Sequence, residues 1–353
     1  MKLSTFVLLA LCLATPAAAR DVYMFPAPGP ETETLVIEAS ADLVAIEPLI
    51  RDFQEIEPGV TIQYADSLTN DVFAAALEAC RKETVFADLM ITSSVDHIAK
   101  LTNDGCAQRH ESAATEAIPD WANWRNEAFG FSFEPAVIVF NRALVPESDV
   151  PLTRNALVEL LRTKPDIYNG RVGTYDITQS GIGYLFAFFD AEQSSVFGRL
   201  LEGFGRADAV LASTTGAILD QIESGEVLIG YNLLGSYAYG RLAAGAPIGI
   251  VLPHDFTIVL SRAALIPPHA ENPRAGARFL DYLLSERGQN VAAQSSFFFA
   301  FDRPPPENVL AADESGGATF YRPIVLGPSL LVTLDQAKRA RFLADWRDAM
   351  SLP

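Results

Sequence analysis

Three stretches place small hydroxyl-bearing residues where a strand reads as running into a helix: Glu38-Ala39-Ser40-Ala41, Thr92-Ser93-Ser94 and Asp176-Ile177-Thr178-Gln179-Ser180-Gly181. A helix N-terminus carries unpaired N–H groups and about half a positive charge, so it receives phosphate or carboxylate oxygens. Small side chains let a ligand approach the backbone, and hydroxyls add donors. Ser and Thr are also preferred N-caps, so capping alone explains each loop taken singly. Convergence of all three on one cleft separates binding from capping. The candidate ligand contacts in these loops are Glu38, Ser40, Ser93, Ser94, Thr178, Ser180 and Gly181. Further along the chain they are Tyr175, Tyr231, Asn232, Tyr237 and Arg241. Arg241 has the fork for a bidentate pair with a carboxylate or phosphate, against the commoner fate of an exposed helical Arg. Glu134 stands before Pro135 in an apolar run, where it can meet a ligand or steady a hinge.

No catalytic residue and no cofactor is expected. The chain lacks a GxSxG elbow, an HExxH pair and a phosphate-binding glycine motif of the Walker type. Its four scattered His residues and few Cys offer no metal-ligand spacing. His97 reads as a solvated or packing residue in the helix after the Ser93-Ser94 loop.

The elements that must position these residues alternate between strand and helix. Leu35 to Glu38 is a short apolar strand, followed by a helix with Leu43, Ile46, Leu49, Ile50 and Phe53 on one face. Ser40 or Asp42 can cap it. A strand over 60–64, a helix over 70–80, a buried strand over 87–91 and a helix to about 103 complete a parallel αβ unit. Ligands gather at the C-terminal ends of strands in such sheets. A long apolar strand over 129–141 leads to a second αβ region, with strands near 171–175, 227–231 and 248–252. Residues 256–266 read as an apolar passage back. The expectation is an α/β fold of two lobes, each a mainly parallel sheet flanked by helices, joined by crossover strands. Its divisions are 1–19 signal peptide, 20–33 extended N-terminal arm, 34–135 with 259–310 lobe 1, 136–258 lobe 2, and 311–353 a C-terminal helical segment.

Met1-Lys2-Leu3-Ser4, the apolar run Phe6 to Leu13 and Ala17-Ala18-Ala19 have the order of a secretory signal peptide. The run is far short of the ~20 residues that span a bilayer. Cleavage after Ala19 leaves Cys80 and Cys106. In an oxidising compartment these can form a disulfide or remain two separate thiols, and the sequence leaves both open. The formal net charge of −18 repels phosphate backbones, so nucleic acid is not an expected partner.

Together, LVIEASADLVAIEPLIRDFQEIEPGVTIQY, ADLMITSSVDHIAKLTNDG, FGFSFEPAVIVFNRAL, GRVGTYDITQSGIGYLFAF, GEVLIGYNLLGSYAYGRLAAGAPIGIVLP and NPRAGARFLDYLLSERGQ resemble the ABC-transporter substrate-binding proteins of the ferric-iron-binding type. The resemblance rests on order and spacing over nearly the whole mature chain. It implies a type II periplasmic-binding-protein fold, a ligand in the interlobe cleft, hinge closure, a monomer, and delivery to an inner-membrane permease. A membrane sensor kinase is the alternative partner. Ferric-binding members often use two adjacent tyrosines, with His or Glu from the first lobe. Here Ala238 separates Tyr237 from Tyr239, and residues two apart do not share a helical face. No metal ligand is therefore assigned, and a phosphorylated organic, phosphonate or carboxylate ligand is expected, with ferric iron as the alternative.

Overall fold

The computed structural model describes residues 21–294 and 320–351, so the expected signal peptide and the Pro-rich stretch at 303–306 lie outside the described residues. Glu33–Ala39 pairs in parallel with Val60–Asp66 on one side and Leu89–Thr92 on the other. Leu35, Ile37, Leu89, Met90 and Ile91 are fully buried, as befits parallel strands covered on both faces. The helix Leu43–Ile56 buries Ile46, Leu49, Ile50 and Phe53 against them, the face expected from their spacing. This first sheet has seven strands and is completed by Ala263–Leu265, Ala128–Gly130, Asn123–Trp124 and, at its other edge, Asp21–Phe25.

A second seven-stranded sheet is built around Glu134–Asn141, which pairs antiparallel with Ile229–Leu234, Thr257–Leu260 and Ile248–Val251. Val172–Tyr175 and Val210–Ala212 extend it in parallel beyond Ile229–Leu234. The architecture is the expected two-sheet α/β fold, but both sheets are mixed rather than mainly parallel, because the crossover strands pair antiparallel with their neighbours.

Several expected boundaries move. The apolar run 129–141 is not one strand: Ala128–Gly130 serves the first sheet and Glu134–Asn141 the second. The return passage divides likewise, into Thr257–Leu260 and Ala263–Leu265. Polar residues mark both changes. Arg262 N–H donates to Ser132 Oγ at 2.9 Å, and Phe131 N–H donates to the Arg262 carbonyl at 2.9 Å. The two crossovers are thus bonded to each other. Gly130 permits that approach, because a Cβ there would stand 2.3 Å from Ser261 Oγ. Residues 134–135 and 259–260, placed in the first lobe from sequence, belong to the second sheet.

The N-terminal arm is also corrected. Asp21–Phe25 is an edge strand antiparallel to Val60–Asp66, and the Pro and Gly residues that suggested an arm follow it. Nor is the described part of 311–353 simply helical. Tyr321–Pro323 adds to the second sheet, Pro328–Leu334 forms a 3-10 turn, and Gln336–Ala349 is a helix. Its Trp346 packs into the second-lobe core with Leu200 and Phe204. Thr333 spans the lobes: its hydroxyl donates to Asp96 at 3.0 Å, and its carbonyl accepts from Tyr184 at 2.9 Å.

Cys80 and Cys106 form a disulfide that ties the end of the helix Thr69–Lys82 to the loop after Val95–Asn103. It closes a loop with a sequence separation of 26, for which chain entropy gives about 3 kcal/mol. Changing both to Ala is therefore expected to lower Tm by several degrees in calorimetry. An unchanged Tm would mean that the unfolded chain gains nothing from release.

Candidate functional site

A cavity of about 330 Å³ lies between the lobes. From the first lobe it is lined by Ser40 and Asp42, Asp66 to Thr69, Ser93, and Asp21 of the edge strand. From the second come Ser180, Ile182, Ser213 to Gly216, Leu234 and Tyr237, while Arg262 enters from a crossover.

Six helices begin here. Asp42, Leu68, Ser94, Ser180, Thr214 and Leu234 are the N-cap residues of Leu43–Ile56, Thr69–Lys82, Val95–Asn103, Gly181–Gln193, Thr215–Ser224 and Gly235–Ala243. The helices of both lobes therefore turn their positive ends toward one space. All three hydroxyl loops reach it, through Ser40, Ser93 and Ser180. Capping does not account for them all. Ser180 Oγ accepts from Gly183 N–H at 3.2 Å and is a true cap, but the Ser94 and Asp42 side chains make no cap bond. Ser40 Oγ donates to Thr92 Oγ1 at 2.8 Å. Ser93 is only 2% exposed, yet its hydroxyl makes no hydrogen bond among the described residues.

Not every expected contact lines the cavity. Tyr237 does, and its hydroxyl accepts from Asp42 N–H at 3.1 Å across the lobes. Tyr175 lies behind the lining and shares a 2.5 Å hydrogen bond with Thr215 Oγ1. Glu134 is fully buried and holds Arg262, with Nε to Oε1 at 3.1 Å, while Ser236 donates to its other oxygen. Ser94 is buried behind Ser93, and its Oγ has no partner among the described residues.

Five others lie away from the cavity lining. Arg241 is held by Asp220 at 2.7 Å and Glu223 at 3.0 Å, on the outer side of its helix. Tyr231 donates to Asp190 inside the second lobe. Asn232, with a φ of 57°, sits beside it and donates to the same carboxylate. Thr178 bonds back to Asp176 at 2.6 Å within its own turn. Glu38 is buried in its strand and does not reach the cavity. For the first four, a nearer partner inside the lobe takes the polar group. His97 stacks on Phe73 with centroids 4.2 Å apart, and burial pushes its pKa down.

Sequence reasoning missed Asp21, Asp66, Thr69, Thr214 to Gly216 and Arg262. A signal existed for some. Asp66-Ser67-Leu68-Thr69 follows a parallel strand exactly as Ser40 and Ser93 do, and Arg262 is a lone charge within an apolar passage.

The electrostatics of the lining are mixed. Asp21 and Asp66 are directly opposite in the antiparallel pair. Burial and then the nearby Asp42 carboxylate push the Asp66 pKa up to about 7. Burial also raises that of Asp42. A Cβ built on Gly216 would stand 3.6 Å from Asp42 Oδ2, so this carboxylate lies at the first turn of the Thr215 helix.

Four hydrogen bonds draw the lobes together at the cavity. Besides the Asp42–Tyr237 bond, Gly181 N–H donates to Thr69 Oγ1 at 2.9 Å and Asn70 Nδ2 donates to the Gln179 carbonyl at 2.6 Å. Arg262 Nη1 donates to the Ser40 carbonyl at 2.7 Å. Gly181 has no room for a side chain: a Cβ would lie 2.6 Å from Ser94 Oγ and 2.8 Å from Thr69 Oγ1. Gly181→Val is therefore expected to wedge the lobes apart while each stays folded. The expected result is a larger radius of gyration in X-ray scattering and at least roughly tenfold weaker ligand binding, with Tm nearly unchanged. An unchanged radius would contradict the wedge.

Among the described residues no helix is long and apolar enough to cross a membrane, and no group of three or more His, Cys, Asp or Glu is placed to hold a metal ion. The family model described as bacterial extracellular solute-binding protein matches residues 39–298. No curated protein sequence matches. Among solved structures, the substrate-binding protein of an ABC transporter from Agrobacterium tumefaciens is 35% identical, with a TM-score of 0.87 over 95% of this chain and 99% of that one. Iron-bound HitA from Pseudomonas aeruginosa is 18% identical, with a TM-score of 0.66 over 90% and 99%. The periplasmic binding protein AfuA from Actinobacillus pleuropneumoniae, with exogenous fructose-6-phosphate bound, is 18% identical, with a TM-score of 0.69 over 92% and 100%.

Proposed function

The chain belongs to the bacterial extracellular solute-binding protein family, and on that premise we propose that it captures a small oxyanion-bearing solute in the periplasm and delivers it to an ABC permease. The observation that carries the ligand class is the convergence of six helix N-termini, from both lobes, on one cavity. Unpaired N–H groups and aligned dipoles from two separate bodies bind an anion best when the bodies close on it. The ligand thereby drives the closure that a permease reads. At about 330 Å³ the space suits a solute at the small end of the usual range, roughly 300–1,000 Å³. A phosphorylated sugar, a phosphonate and a di- or tricarboxylate all belong to this class, and the fructose-6-phosphate held by AfuA is an example on the same fold. Fe(III) has less support, because of Tyr237 and Tyr239 only the first lines the cavity.

The test is isothermal titration of the purified mature protein with phosphorylated sugars, phosphonates, di- and tricarboxylates and Fe(III), followed by tryptophan emission and product analysis. Binding of at least one oxyanion class, with an emission change and no turnover, is expected. Silence from all the oxyanions, or tight binding of Fe(III) alone, overturns the reading.

A further inference from the structure

The cavity sets three carboxyl groups beside its helix N-termini. Asp21 and Asp66 face each other across an antiparallel pair, an arrangement of like charges that destabilises a sheet. Asp42 adds a third carboxylate to the same lining. Arg262 is the only Lys or Arg among the described lining residues, and its guanidinium bonds both oxygens of Glu134 and the Ser40 carbonyl, so one cation stands against three lining carboxylates and Glu134. A solute bringing only negative charge would meet the helix N-termini and three carboxylates in one small volume. A solute bringing both signs meets a complement to each.

A second, independent feature also points to a ligand in this space. Ser93 is 2% exposed, lines the cavity and leaves its hydroxyl without a hydrogen bond among the described residues. It stands just before the N-terminus of Val95–Asn103, where an oxyanion would receive its proton. The three carboxylates all belong to the first lobe, on the edge strand, at the end of the strand Val60–Asp66 and at the start of Leu43–Ile56.

We infer that the solute is a zwitterion, with its oxyanion on the helix N-termini and Ser93 and a primary ammonium on the same molecule against Asp21, Asp42 and Asp66. This rests on the oxyanion reading above and names the second pole of that site. The ammonium offers three donors and a charge, and it relieves the like-charge repulsion between Asp21 and Asp66. The carboxylates thereby become the specificity device: they reject amine-free anions of the same size.

Matched pairs differing only in the amine test this at about pH 8: O-phosphoethanolamine against ethyl phosphate, glucosamine 6-phosphate against glucose 6-phosphate, and β-alanine against propionate. In titration calorimetry the amine-bearing member of at least one pair is expected to bind roughly tenfold or more tightly than its partner. Asp66→Asn and Asp42→Asn, each checked for folding by thermal unfolding, are expected to erase that preference, chiefly by improving the amine-free member. Equal or tighter binding of the amine-free member in every pair that binds overturns the zwitterion and leaves the oxyanion reading standing. A preference that survives both substitutions also overturns it. Silence from all six compounds overturns the zwitterion, while the oxyanion reading stands or falls on the wider panel above.

Discussion

Arg262→Met is expected to destabilise the protein by about 3–5 kcal/mol and to weaken ligand binding at the same time. The side chain is fully buried, with Nε 3.1 Å from Glu134 Oε1 and Nη2 3.3 Å from Oε2. Removing the guanidinium leaves Glu134 charged and enclosed, with only the hydroxyls of Ser132 and Ser236 donating to it among the described residues. Ionic partners are replaced safely together and badly one at a time, because a lone buried charge keeps its desolvation penalty. The double variant Arg262→Met with Glu134→Gln is therefore expected to recover a good part of the lost stability. Binding is not expected to recover with it. Arg262 Nη1 also holds the Ser40 carbonyl, and so ties the first-lobe loop to the crossover between the two sheets. Thermal unfolding and titration calorimetry on the three variants separate these roles. If Arg262→Met unfolds like the parent, the pair is not holding the crossovers. If the double variant regains affinity along with stability, the Ser40 tether has no part in binding.

Much of this arrangement was legible in the sequence, for a physical reason. The strand–helix alternation is carried by burial periodicity, and Ile46, Leu49, Ile50 and Phe53 can all reach the sheet only on a helix. Once Glu33–Ala39 and Leu89–Thr92 are parallel neighbours, the loops after them share an edge, which brings Ser40 and Ser93 to the same cleft. Side-chain direction was not legible. Arg241 and Tyr237 stand on one helix, four residues apart, yet Tyr237 points into the cavity and Arg241 is drawn outward by Asp220 and Glu223 of the neighbouring helix. Tyr231 and Asn232 were lost to Asp190 in the same way, a partner some forty residues earlier that no local pattern reveals. Asp21 was hidden because the Pro and Gly residues after it dominated the composition of its segment, although its strand pairs over five residues with Val60–Asp66.

The pH dependence of stability reports the desolvation of Asp66 together with the like charges beside it. Asp66 is half-buried beside Asp42 and opposite Asp21, with Tyr23 on the neighbouring strand, Tyr64 on its own and the Arg262 charge nearby. Its carboxyl holds its proton to about pH 7 in the folded chain, against an ordinary value of 3.8. Between these values the unfolded chain has released the proton and the native one has not. The unfolded state then binds fewer protons, so stability falls as pH rises from about 4 to about 7 and levels off above. Asp66→Asn removes this dependence. The variant is expected to match the parent near pH 4, where both states hold the proton, and to unfold a few degrees higher near pH 8. Other acidic groups titrate equally in both proteins, so the difference between the two Tm–pH curves reports Asp66 together with its coupling to Asp21 and Asp42. Parallel curves would show that the like charges impose no strain, and the zwitterion argument would lose the repulsion that an ammonium relieves. A gap that opens as pH rises and closes when O-phosphoethanolamine is added ties the strain to the ligand that removes it.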